Sequence, residues 1–294
     1  MVKFFHFEKY HGKRNIGSTR IRVKNLLKHW PEADEYKFGD KAEVMIFQKV
    51  YVTGDTFRSS AFDFIKHYQG IKILDVCDPD WLGSSAWTKG CLIKQTVDNV
   101  DAVVVPTEPL AKFIRQLTDK PVKVIPDRFV IESFPPLKQH TGDVKKAVWF
   151  GYAHNAEILK YAMHFIEKNN IHLTVISNED PRCNTWAEGE IQYTYKKWEQ
   201  PTAYDIIRQN DIAILPKGIR VVDKYKSNNR AIQSWLCGVP VCETDADVGK
   251  YQDPIERNKA ALERYNEYRK EYDVRKSVEQ YKELIDEIRN TKAE

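Results

Sequence analysis

The sequence predicts an α/β protein made of two tandem βα domains with parallel sheets. Three observations predict it. Short β-branched runs alternate with helical stretches along the chain, the pattern of successive βα units. The alternation stops and restarts across residues 134–146, a proline-bearing polar stretch with Gly142 in it, which marks a linker. With 294 residues, 42% hydrophobic and 12% aromatic, the chain has enough apolar material for two cores of ordinary size.

In the first half, residues 2–7, 43–48, 71–76, 102–105 and 122–125 are the expected strands, five in all. Gly17-Ser18-Thr19 opens a helix that runs to about residue 29. Thr107-Glu108-Pro109 starts another, with a hydroxyl cap and an early proline. In the second half, strands are expected at 147–150, 172–176, 192–195, 212–215 and 239–242. Helices are expected at 155–168, 203–209 and 229–236, the last closed by Gly238. The tail after Pro254 is helical and charged. Tyr265, Tyr268 and Tyr272 form one apolar stripe, and Val278, Tyr281, Leu284, Ile285 and Ile288 a second, both at helical spacing and both expected to face a core.

Composition narrows the function. The net charge of +4 suits a phosphate-bearing ligand but falls short of the strongly basic balance of a nucleic-acid binder. No run approaches the roughly 18 apolar residues of a membrane-spanning helix. The first 14 residues are aromatic and charged and read as a strand rather than a secretory signal. Five scattered cysteines form no C-x-x-C pair and lie beside no histidine at zinc spacing, which suits a reducing cytoplasm.

In open parallel sheets, ligands sit beyond the carboxyl ends of the strands. The first candidate place is Lys226-Ser227-Asn228-Asn229-Arg230, just before a helix. Ser227 or Asn228 is expected to cap that helix. Free amides, the positive end of the helix dipole and two cations within one turn together make a site suited to a diphosphate; the alternative is an ordinary capped helix with solvated basic residues. The second is Gly17-Ser18-Thr19-Arg20, either a backbone cradle for an anion or a tight βα turn. The third is Asp75 to Trp81, with three acids in six residues beside a tryptophan. Asp78, Asp80 and Trp81 there suit hydroxyl and sugar recognition, with a divalent cation or plain turn chemistry as alternatives.

The run Lys226 to Val241, ending Leu236-Cys237-Gly238-Val239-Pro240-Val241, resembles the donor-site motif of family 4 glycosyltransferases, which in one branch reads K-S-x-x-K-A-x-E-Y-M-A-C-G-V-P-V. Asp101 to Thr107, Val122 to Asp127, Trp149-Phe150-Gly151 and Asp211 to Pro216 resemble further segments of that family, in the right order. The resemblance implies a GT-B fold: two Rossmann-like domains facing a cleft, residues 1–140 on the acceptor side and 146–273 on the donor side. A terminal helix, about 274–294, returns to the first domain. It also implies a nucleotide-diphosphate-sugar donor (a UDP- or GDP-sugar), retention of configuration, and neither an essential metal nor a cofactor.

Carried onto this chain, Lys226, Arg230 and Asp78 are the catalytic candidates. Gly17, Ser18, Ser227, Asn228, Asn229 and Gln233 are donor-binding. Asn178, Glu179, Tyr195 and Trp198 lie where the nucleobase is expected, with Trp198 alternatively a core anchor. Asp80, Trp81, His154 and Tyr225 are candidates for acceptor or sugar contact. The chain departs from the family in two places. The family's Glu-x7-Glu pair falls on Tyr225 and Gln233, and Gly151-Tyr152-Ala153-His154-Asn155 has no arginine, with only Lys160 basic nearby. The acceptor is open: a glycan, a lipid or a nucleic acid with a hydroxymethylated base, the last suggested by the aromatic and cationic run Tyr193 to Trp198. Rival readings are a sugar-nucleotide epimerase or hydrolase and a non-catalytic sugar-nucleotide-binding protein.

Overall fold

A computed structural model describes residues 1–12, 15–52, 64–82, 92–182, 193–218 and 220–293. The chain divides into two compact units. The first comprises Met1–Phe129, Arg220–Ser227 and Asp273–Glu294, the second Val130–Ile219 and Asn228–Tyr272.

The first unit holds a six-stranded parallel sheet in the order β2-β1-β3-β4-β5-β6, from β1 (Val2–His6), β2 (Ala33–Glu35), β3 (Val44–Gln48), β4 (Ile71–Asp75), β5 (Ala102–Val105) and β6 (Val122–Val124). All five residues of β3 and all four of β5 are buried, as expected of parallel strands covered on both faces. Met45, Phe47, Leu74 and Val103 pack with Leu110, Ala111 and Ile114 of a helix at Glu108–Arg115. Thr107 caps that helix, accepting from the Leu110 amide at 3.4 Å.

The sheet has one strand more than expected. Ala33-Asp34-Glu35 carries no β-branched or aromatic residue, and pairing with β1 (Val2 opposite Ala33) is what makes it a strand. Its polar side chains suit a sheet edge, where charge discourages pairing with another chain. The helix that starts at Gly17 is also less regular than expected. It runs as Gly17–Thr19, a π-helical stretch Arg20–Lys24, and Asn25–Leu27. Ile21, Arg22 and Val23 are buried in succession along the wide turn. Arg22 thereby enters the core, where its guanidinium meets Asp75 at 2.6 Å and Asp127 at 2.8 Å.

The terminal helix, Val274–Ala293, belongs to this first unit. Its stripe Val278, Tyr281, Leu284, Ile285 and Ile288 is buried as the spacing predicts. Tyr281 lies against Trp30, ring centres 5.9 Å apart, and donates to Asp75 at 2.6 Å.

The second unit holds a five-stranded parallel sheet in the order β11-β10-β7-β8-β9, from β7 (Lys146–Phe150), β8 (His172–Ser177), β9 (Tyr193–Lys197), β10 (Ile212–Ile214) and β11 (Val241–Cys242). The helix α6 (Asn229–Leu236) has the expected bounds. Gly238 ends it at φ +70°, and a Cβ there would lie 2.7 Å from the Lys138 amide, so glycine is required. The helix expected at 155–168 is instead a 3₁₀ stretch, Ala153–Tyr161, followed by an α-helix, Met163–Lys168. Ala153, Ala156 and Leu159 are its buried residues, and a spacing of three matches three residues per turn. Of the tail's first stripe, Tyr265, Tyr268 and Tyr272 are only half-buried; Pro254–Glu271 buries Arg257 and Ala261 instead.

The stretch expected to be a linker packs on the second unit. Lys138 donates to the Asn210 carbonyl, and His140 Nε2 lies 2.8 Å from the Gly238 carbonyl. A carbonyl only accepts, so Nε2 carries the proton and Nδ1, buried with no partner among the described residues, is the bare nitrogen. Burial, with the nearby Lys138 and Arg257 charges, pushes the imidazole down from 6.5 to about 4. A base whose folded pKa is depressed binds its proton more readily when unfolded. Its stabilising contribution is therefore complete above pH 6.5 and is lost as pH falls toward 4, by about 3 kcal/mol in all. Thermal melts should show this slope in the wild type, and His140→Gln, which keeps a donor for Gly238, should flatten it. Equal slopes would refute the assignment.

Candidate functional site

In each unit, the first strand has neighbours on both sides, the arrangement that opens a crevice at the carboxyl ends of the strands.

In the first unit this edge is a network of charges. Lys49 follows β3 with φ +53°, a left-handed conformation unusual for a lysine. Its ammonium reaches Asp78 at 2.9 Å and Asp80 at 3.1 Å, both beyond the end of β4. Tyr51 donates to the other Asp80 oxygen at 3.0 Å, and the buried Cys77 thiol donates to Asp78 at 3.5 Å. The place a cation would take between the two carboxylates is filled by the Lys49 ammonium. Burial raises the Asp80 carboxyl, and the neighbouring Asp78 charge adds to the rise. For Asp78, burial acts the same way but is outweighed by the Lys49 and Lys226 charges, which hold its carboxyl below the usual range. Asp78 is also the more open of the two, its side chain 38% exposed against 9% for Asp80. The arrangement presents one ionised carboxylate to the surface, backed by a fixed ammonium.

Trp81 stacks on Phe113 at 5.3 Å, so one face of its ring is committed to the fold. Gly17 and Ser18 lie at the start of the π-containing helix. There Glu8 already places a carboxylate on the Ile16 amide at 2.5 Å, and an incoming anion would meet that charge. The Thr19 hydroxyl donates to buried Gln48, fixing the loop to the end of β3.

The segment Arg220–Ser227 belongs to this unit as well. Asp223 takes the Arg220 amide and guanidinium, and Lys226 at 3.3 Å. Tyr225 has its carbonyl on the Thr107 hydroxyl at 2.9 Å and its ring edge-on to Phe113. Ser227 donates to Asp127 at 2.5 Å. Neither Ser227 nor Asn228 makes the expected cap: Asn228 stands at the N-cap without a side-chain hydrogen bond to the first turn, and Ser227 is turned to Asp127. The sequence run Lys226 to Arg230 thus divides, Lys226 and Ser227 with the first unit and Asn228, Asn229 and Arg230 with the second.

In the second unit, Arg230 leaves the first turn of α6 and donates to the Phe150 carbonyl at the carboxyl end of β7, at 3.4 Å. Its guanidinium carbon lies 5.8 Å from the centre of the buried Trp149 ring. This puts an arginine at the strand end where the sequence between Gly151 and Asn155 has none. Gln233 is buried and bonded at both ends of its amide, donating to the Asn229 carbonyl at 3.0 Å and accepting from Tyr204 at 3.4 Å. A ribose contact would require one of those bonds to be exchanged.

Asn178, after β8, accepts from the Ala153 amide at 2.9 Å and so fixes the start of the 3₁₀ stretch. Tyr152 and His154 stack nearly parallel, ring centres 5.6 Å apart. Beside them a pocket of about 550 Å³ is lined by Ala153, His154, Glu157, Lys160, Glu179 and Asp180, among others. Tyr195 is half-buried on β9, its hydroxyl 3.4 Å from the Ser177 carbonyl. Trp198 stacks on Phe150 and meets Tyr204 edge-on, the geometry of a core anchor. Lys49 and Tyr51 are not among the candidates from the sequence, and Trp149 enters there only within a segment that resembles the family. A lysine after an apolar strand and a tryptophan within one give no local hint of the partners that folding brings to them.

No family model matches the chain, and no curated protein matches it either. Solved structures do. Anabaena HepE, in complex with UDP-glucose, superposes with a TM-score of 0.65 at 9% identity, over 98% of this chain and 100% of that one. The DNA modifying enzyme β-glucosyltransferase does so with a TM-score of 0.61 at 10% identity, over 97% of this chain and 99% of that one. TarM of S. aureus matches with a TM-score of 0.61 at 12% identity, over 82% of this chain; the chain spans about half of TarM, 54% of its length. These neighbours are GT-B glycosyltransferases. The chain has the GT-B type of fold. Identities this low speak to architecture alone. The two parallel sheets and the terminal helix placed with the first unit agree with that architecture. Among the described residues no helix is long and apolar enough to cross a membrane.

Proposed function

We propose that the protein is a glycosyltransferase, similar to family 4, that moves a sugar from a nucleotide-diphosphate-sugar to an acceptor hydroxyl with retention and without an essential metal. The observation that carries the reading is Arg230 at the carboxyl end of β7, next to the first amides of a helix with no side-chain cap. Backbone donors, the positive end of the helix and a fixed guanidinium are what a diphosphate leaving group needs as its charge develops. Lys226, which precedes α6 in the chain, supplies the second positive charge. The pocket beside Tyr152 and His154 takes the nucleoside, with Glu179 and Lys160 on its wall. On the first unit, the ionised Asp78 accepts a hydrogen bond from the acceptor hydroxyl. The UDP-glucose complex of HepE supports a UDP-sugar as the first donor to try.

A screen of UDP- and GDP-sugars reading nucleotide release tests the reading. Release that depends on acceptor is expected; sugar isomerisation without acceptor would indicate an epimerase, and binding without turnover a non-catalytic binder. One second reading concerns the acceptor. The likeness to a DNA modifying enzyme and the aromatic and cationic β9 favour a hydroxymethylated base. Binding to modified DNA that weakens steeply with salt would support it, and no binding at low salt would remove it.

Lys49→Met gives a prediction for the first unit. Without the ammonium, burial again dominates at Asp78 and its carboxyl rises. The acid limb of kcat/KM should then move to higher pH, with Lys49→Arg close to wild type. An unshifted limb in Lys49→Met would remove Asp78 from the acceptor site.

A further inference from the structure

Arg230 is held by features that nothing in the sequence run around it contains. Trp149 is fully buried on β7, and its indole N–H has no hydrogen-bond partner among the described residues. Buried tryptophans normally pair that group, because leaving it unmade has a cost that a leucine or phenylalanine at the same place would avoid. The ring therefore has another use. Its face lies under the Arg230 guanidinium, 5.8 Å away, while one guanidinium nitrogen bonds the next residue's carbonyl, Phe150. Gly151 completes the seat. A Cβ on it would come within 3.1 and 3.2 Å of the Trp149 ring and 3.4 Å of that same guanidinium nitrogen. The three consecutive residues Trp149, Phe150 and Gly151 thus give a flat surface, an acceptor and an open space, each fitted to a planar cation. A lysine has no plane to stack and no fork to divide between a carbonyl and a ligand.

We propose that Trp149 and Gly151 are positioning residues that set the Arg230 guanidinium for the diphosphate of the donor. The inference rests on the reading of Arg230 as a phosphate ligand, and the experiment separates the two. UDP, inorganic pyrophosphate and uridine are titrated calorimetrically into the wild-type chain and into Arg230→Ala, Arg230→Lys, Trp149→Leu, Trp149→Phe and Gly151→Ala, with folding checked by circular dichroism.

Arg230→Lys, Trp149→Leu and Gly151→Ala are each expected to weaken UDP and pyrophosphate by about tenfold while uridine binds as before. Trp149→Phe, which keeps an aromatic face, should recover most of the loss. A merely structural role would weaken all three ligands together or none. If Trp149→Leu does not fold, Gly151→Ala and Trp149→Phe carry the comparison. Unchanged UDP affinity in folded Trp149→Leu and in Gly151→Ala, with Arg230→Ala weakened, overturns the positioning role and leaves the reading of Arg230 standing. Unchanged UDP affinity in Arg230→Ala, or no binding of UDP or pyrophosphate by the wild type, overturns the reading itself and the inference with it.

Discussion

Arg22→Met is expected to destabilise the first unit by about 3–5 kcal/mol, the usual cost of removing one partner from a buried ion pair. Arg22 is 3% exposed and bonds Asp75, fully buried, at 2.6 Å and Asp127, 6% exposed, at 2.8 Å. Burial alone would lower the arginine's pKa, but the attraction of Asp75 and its neighbours holds it well above its ordinary value. Without the guanidinium two carboxylates face each other in the core, and Tyr281, whose hydroxyl donates to Asp75, cannot neutralise either. The same network ties four segments, the π-containing helix, β4, the stretch after β6 and the terminal helix, so its loss should loosen all of them. Denaturant unfolding followed by circular dichroism measures the effect. Arg22→Met combined with Asp75→Asn should recover part of the loss, because the uncompensated charge is then smaller. A single variant within about 0.5 kcal/mol of wild type would show that the cluster does not hold the unit together.

The second large effect concerns the donor. Arg230→Ala is expected to weaken UDP roughly thirty- to hundredfold, the range for deleting a charged hydrogen-bonding partner of a phosphate. Lys226→Ala is expected to lower kcat more than it raises KM, since its charge matters most as the leaving group gains negative charge. Both variants should keep the wild-type melting temperature within a few degrees. Arg230 is half-buried and Lys226 has 38% of its side chain exposed, so neither supports a core. A Lys226→Ala enzyme with unchanged turnover would remove that residue from the mechanism.

Much of the architecture was legible because buried parallel strands leave a strong local trace. The run Ala102–Val105 is apolar throughout and ends in three β-branched valines, and α6 is bracketed by polar residues before Asn229 and by glycine after Leu236, so both have their expected bounds. Elements defined by a neighbour rather than by their own side chains were not legible. Ala33–Glu35 is a strand only because β1 lies beside it, and Ala153–Tyr161 is a 3₁₀ stretch whose buried residues stand three apart. The candidate site followed the same rule. Lys226, Asn229 and Arg230 stood out as a cluster along the chain, but the chain passes from one unit to the other after Ser227, which no local pattern announces. Asp78 and Asp80 were visible as acids after a strand; the Lys49 ammonium that joins them comes from 29 residues before Asp78, just past the neighbouring strand. Trp149 lies within an expected strand and is fully buried. Its second use depends on a side chain 81 positions away (149 to 230), near the start of α6.

The most direct test of the donor site is a crystal structure of the chain soaked with UDP. The diphosphate should lie at the start of α6, its oxygens within hydrogen-bonding distance of the Asn229 amide and the Arg230 guanidinium, with the uracil in the pocket beside Tyr152 and His154. A diphosphate bound elsewhere on the chain, with Arg230 untouched, would contradict it.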